Sequence, residues 1–155
     1  MENASELING LFDKNDKAAY KCLKELLSAS EKDSDIYRFF DTFTEMIDND
    51  NSYVRTRGLL LISANAKWDT DFKIDEIIDK YLSHVMDDKP ITSRQCIKAL
   101  PNIAKYKPDL IDDILSALKK SNPQQYADSM RSLVYNDIKA ALKIISEIGG
   151  IGTSA

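Results

Sequence analysis

The stretch DNDNSYVRTRG, residues 48–58, places Asp48, Asp50 and Ser52 at alternate positions, with Gly58 beyond them. That is how the hard oxygen ligands of a calcium loop begin. Such a loop also needs glycine at its sixth residue, for the sharp turn, and a bidentate glutamate at its twelfth. Counted from Asp48, those positions hold Tyr53 and Leu59. The aromatic cannot make the turn and the alkyl chain cannot ligate a hard cation, so the segment reads as a turn between two helices. His84 is the only histidine, which leaves a histidine-based metal centre or a Ser-His-Asp relay short of parts. Asp87-Asp88 and Asp112-Asp113 could share acid and base roles. At expected helix ends, solvation and the helix dipole account for them better. No phosphate-loop, HExxH, GxSxG or CxxC motif occurs. The GGIG near the C-terminus follows a helix and precedes nothing that could complete a phosphate cradle. The expectation is no catalytic residue, no cofactor and no metal.

The elements that would carry any other function are helices. At 155 residues, with 43% apolar and 30% charged side chains, the chain is long enough to bury a continuous core and too apolar to be disordered. One domain over 1–149 is expected, with a flexible tail at 150–155. Of five glycines only Gly10 and Gly58 lie in the body, and the glycine-bounded alternation of strands is missing. No apolar run approaches the roughly 18 residues that cross a bilayer. MENASELING lacks the layout of a secretion signal, and Cys22 and Cys96 make no disulfide framework. A cytoplasmic protein is expected, with no membrane partner.

Apolar spacing reveals a repeat of about 37 residues. Ile36, Phe39, Phe40, Phe43 and Ile47 form one helical stripe. Ile74, Ile77, Ile78, Tyr81 and Val85 repeat it, and Ile111, Ile114, Leu115 and Leu118 repeat it again. Second helices align as well: Cys22, Gly58 and Cys96 share one register, followed by Leu23, Leu59 and Ile97. Small residues at one register predict close approach of two helix backbones, and they predict that the cysteines pack rather than react. His84 aligns with Met46, which favours a partly packed position. Capping is expected from Ser52, from Thr92 with Gln95, and from Asn122 before Pro123. Pro101 should fall inside a helix. Helix pairs at this period specify an all-α, α-α superhelix of about four pairs, near 4–28, 35–68, 73–106 and 109–148. Residues 124–148 could be one helix or two.

The turn DNDNSYVRTRG resembles that of a HEAT repeat. DNDNSYVRTRGLLLISANAKWD with KPITSRQCIKALPNIAKYKP is similar to a group of short bacterial HEAT-like proteins (armadillo-type α-solenoids), some labelled SufBD-like. That label would imply iron–sulfur assembly, for which two separated cysteines and one histidine offer no ligand set. In HEAT-like solenoids the first helices usually form the convex side and the second helices the concave one.

Charge follows the same division. First helices are acidic, with net −2 over 36–48, −4 over 74–88 and −1 over 109–120. Second helices reverse this, with +2 over 17–28, +3 over 53–68 and +4 over 92–107, while 124–148 balances. A net charge of −4 thus conceals a candidate basic face of Arg55, Arg57, Lys67, Arg94, Lys98 and Lys105, suited to an acidic partner. The arginines near the starts of second helices could equally bond acidic residues of adjacent turns. Arg55, Arg94 and Arg131 are expected to be structural, and Arg57, Lys98 and Lys105 exposed. Two functions follow as expectations. One is a non-enzymatic interaction module for a protein or acidic peptide. The other is a nucleic-acid binder resembling HEAT-like DNA alkylation-repair glycosylases, with Trp68 and Tyr106 as stacking residues.

Overall fold

A computed structural model describes residues 3–150, in which the chain divides into two compact units, one ending at Lys73 and the other beginning at Ile74. In the first unit, α1 (Ala4–Gly10) and α2 (Asp16–Lys32) make one pair. A 3-10 stretch, Asp35–Phe39, then leads into α3 (Phe40–Met46), which pairs with α4 (Ser52–Ala64). The second unit begins at the second residue of α5 (Lys73–Leu82), which runs on as a 3-10 turn, Ser83–Met86, and precedes α6 (Pro90–Tyr106). The 3-10 turn Pro108–Leu110 opens α7 (Ile111–Lys120), and α8 (Asp128–Ile148) closes the unit. The fold is all-α, built from repeated helix pairs, and no strand occurs among the described residues. Of the expected tail, 151–155 lies outside the described residues.

The predicted stripes form the cores. In the first unit Ile36, Phe40, Phe43 and Ile47 are buried with Leu59 and Ile62 of α4. In the second, Ile74, Ile78, Tyr81 and Val85 are buried, as are Ile97, Leu100 and Ile103 of α6. Each fully buried side chain of this size contributes about 1.5–3 kcal/mol, against about 0–1 kcal/mol for an exposed ion pair. The apolar seams therefore hold the helices together.

The small-residue register is where paired helices touch. A Cβ on Gly58 would lie 2.8 Å from Met46 Cβ and 3.0 Å from Phe43 O, so only glycine lets α4 lie this close to α3. Fifteen residues separate Gly58 from Phe43 and Cys96 from Tyr81, and the Cys96 thiol lies 3.7 Å from Tyr81 O. In the first pair, Cys22 packs against Gly10. One packing solution thus recurs at three equivalent positions.

Helix boundaries differ in detail from the sequence expectation. Asn51, not Ser52, caps α4, its Oδ1 accepting from Tyr53 N at 2.9 Å. Helix α6 starts at Pro90, with Lys89 at the cap, so Thr92 is buried in the first turn rather than capping it. Asn122 does cap, accepting from Gln124 N, but only for the 3-10 turn Pro123–Gln125. Tyr126 and Ala127 are extended there, so a single helix runs from Asp128 to Ile148. Pro101 lies inside α6, which continues past it to Tyr106.

Candidate interaction surface

Most of the residues that could have done chemistry have structural partners; Asp112 and Asp113 instead lie exposed in the first turn of α7. In the turn before α4, Asn49 Oδ1 accepts from Asn51 N at 2.8 Å. Arg55 Nη1 donates to the carbonyls of Asn49 and Asp50 at 3.1 and 3.0 Å. Two carbonyls of this turn therefore face a guanidinium, which sets a fixed positive charge in the loop where a cation would have to sit. No group of three His, Cys, Asp or Glu residues suited to a metal occurs among the described residues.

Asp87 departs from expectation. It is buried, whereas its neighbour Asp88 is exposed. Its carboxylate meets His84 Nδ1 at 2.7 Å and accepts from Lys89 N at 2.9 Å. The Asp87 carbonyl accepts from the Tyr126 hydroxyl at 2.5 Å, and Ser93 Oγ donates to Val85 O at 2.6 Å. The segment before α6 is held by side chains from three elements, and Asp87 works as an anchor rather than as a solvated helix end. The Cys96 thiol is fully buried, and burial, with the Asp87 charge adding to it, pushes its pKa well above that of a free thiol. A thiol held protonated is a poor nucleophile.

The six candidate cations separate into different roles. Within the first unit, Arg57 was expected at the surface but is only 6% exposed. It donates to Leu11 O at 2.8 Å and approaches Asp16 at 3.4 Å, satisfying a carbonyl beyond the end of α1. Arg55 is buried as well. Lys67 Nζ donates to Glu31 O at 2.9 Å, and the Trp68 indole N–H donates to Ser30 O at 2.7 Å. Both reach carbonyls in the last turn of α2, which its own backbone leaves without partners. Helix α4, which carries Arg55 and Arg57 with no acidic residue, shows solvent mainly Tyr53, with Ser52, Thr56, Leu60 and Ala64 half-buried. The expected basic face is therefore not present on α4.

Within the second unit, Arg94 Nε bonds Asp137 at 2.6 Å, which raises the arginine pKa further and removes its net charge from the surface. Arg131, thirty-seven residues on, makes different bonds, to Asp128 at 3.0 Å and Tyr126 O at 3.2 Å. The two arginines share a register without forming a repeated ladder. Lys107 is buried against Asp75 at 2.7 Å. Lys98 and Lys105 are exposed as expected, Lys105 lying over the Tyr106 ring at 5.2 Å.

Sequence reasoning missed the surface of α8. Val134, Ile138, Ala141 and Ile145 are its buried face. Leu133, Ala140, Ile144 and Ile148 are exposed at intervals of seven, four and four, a second stripe along one edge. Asp137 lies within that stripe, and Arg94 lies on the exposed α6 stripe with Ile91, Lys98 and Lys105. The Arg94–Asp137 bond thus joins a basic stripe to an apolar one. A signal was present in the adjacent apolar pairs Leu133-Val134 and Ile144-Ile145, which widen the apolar arc beyond one core face. No helix among the described residues is long and apolar enough to cross a membrane. No family model, no curated protein and no solved structure matches this chain.

Proposed function

We propose that the protein is a non-enzymatic interaction module, a HEAT-like repeat that holds a protein or peptide segment on the exposed face of its second helices. The observation that carries this reading is the joined surface of α6 and α8. There an exposed apolar stripe on α8 is tied through Asp137 and Arg94 to the α6 stripe that carries exposed Lys98 and Lys105, while the other candidate cations are occupied by carbonyls and carboxylates. Repeat proteins commonly bind along such helix rows. Asp87 and His84, the best placed for acid–base work, are engaged in holding the scaffold, which lends catalysis no support.

The nucleic-acid alternative draws less support. Trp68, its best stacking candidate, is half-buried and bonded to Ser30. Phosphate binding also relies on many cations, and the α6 stripe offers two. A photo-crosslinking amino acid at position 98 of the full chain, with position 112 on α7 as control, tests the reading in native lysate. The expected result is a protease-sensitive adduct from position 98 and none from 112. A nuclease-sensitive adduct, equal adducts at both positions, or none at all would overturn it.

A further inference from the structure

Resting on that reading, we infer that the α6–α8 face takes an acidic amphipathic helix, its apolar side on Leu133, Ala140, Ile144 and Ile148 and its carboxylates toward Lys98 and Lys105. The apolar contribution comes from side chains 39–46% exposed at Leu133, Ile144 and Ile148, beside Ala140, whose small side chain lets a backbone approach. The stripe spans sixteen residues of α8, Leu133 to Ile148, or roughly 22 Å, which matches a partner helix of about four turns. Lys98 and Lys105 stand seven residues apart, roughly 10.5 Å along α6, so acidic residues two turns apart on one edge of the partner can reach both.

Charge selects the sign of the partner. Arg94 and Asp137 neutralise each other at the seam, and neither Lys98 nor Lys105 has an ion-pair partner among the described residues. A helix fits better than an extended strand, because the face has no sheet edge to offer main-chain hydrogen bonds; side-chain ridges must supply the fit. A second copy of the chain fits less well. Its α8 would bring Lys139 and Lys143 toward this basic stripe, and four partly exposed side chains fall short of the roughly 800 Å² per partner that a stable interface buries.

The test is fluorescence anisotropy of the full chain with three labelled synthetic peptides of equal length. One is an acidic amphipathic helix with leucines spaced to match the stripe, one carries the same leucines with lysines replacing the acids, and one is a scramble of the acidic peptide. A labelled single-stranded oligonucleotide is the fourth probe. The acidic helix should bind about tenfold or more tighter than its scramble. Lys98→Glu and Ile144→Ser should each weaken it about fivefold or more, while Asp79→Lys on α5 leaves it unchanged; circular dichroism verifies that each variant is folded. Equal binding of the scramble or of the basic peptide, or indifference to Ile144→Ser, would overturn the inference. If position 98 still crosslinks a protein while the acidic helix fails to bind, the inference falls and the interaction reading stands. Tighter binding of the oligonucleotide overturns both.

Discussion

Gly58→Ala sets helix propensity against packing. In an exposed helix interior this change stabilises by about 1 kcal/mol, because alanine loses less backbone freedom. At Gly58 the added methyl would meet Met46 Cβ at 2.8 Å, Phe43 O at 3.0 Å and Ile47 Cγ2 at 3.1 Å. The first two are fixed to the α3 backbone, so no rotamer change relieves them, and α4 must retreat by several tenths of an ångström. Overpacking of this kind costs about 1–3 kcal/mol, and with backbone-fixed neighbours the upper half of that range applies. Offset by propensity, the net expectation is a loss of about 1–2 kcal/mol. Gly10→Ala is the internal control: its nearest neighbour is the sulfur end of Cys22, a side chain that can rotate away. Urea unfolding followed by far-UV circular dichroism measures both. A midpoint for Gly58→Ala equal to or above wild type would refute the close-approach account of the repeat.

Other expectations follow from the same partners. Arg57→Ala leaves the Leu11 carbonyl without its 2.8 Å donor and should cost about 1–3 kcal/mol, whereas Lys98→Ala should change stability by less than about 0.5 kcal/mol; parallel urea titrations decide between them. Phe72 holds φ +58°, a left-handed conformation that costs about 1–2 kcal/mol in a non-glycine residue, so Phe72→Asn should raise the thermal midpoint, and a lower midpoint would show that its ring contributes more than the strain costs. Cys96 has its folded pKa raised by burial, so the unfolded thiol ionises first and stability falls as pH rises past its ordinary value, by about 2–3 kcal/mol at roughly pH 10.5. Cys96→Ala should remove one proton's worth of that slope between about pH 8.5 and 10.5, and an unchanged slope would count against it.

The repeat was legible because burial leaves a periodic trace: Phe43 and Tyr81, or Gly58 and Cys96, announce their equivalence by spacing alone. Caps were legible only to within a residue or two, since Asn51 and Ser52 have similar capping chemistry and Pro90 starts a helix without a side-chain cap. Charge was the least legible. Three unopposed cations on 53–68 suggested a basic face, but Arg57 answers a backbone carbonyl 46 residues away, and carbonyls carry no signature in sequence. The anchoring of Asp87 was half hidden: His84 and Lys89 lie within three residues of it, but the Tyr126 hydroxyl that fixes its carbonyl comes from 39 residues on.

Amide chemical shifts of the isotope-labelled full chain, recorded while the acidic amphipathic peptide is added, test the proposed surface most directly. Perturbations should concentrate on residues 91–105 and 133–148, and leave the first helices at 40–46 and 111–120 unmoved. Shifts that gather on those first helices, or on the lysines of α2, would contradict it.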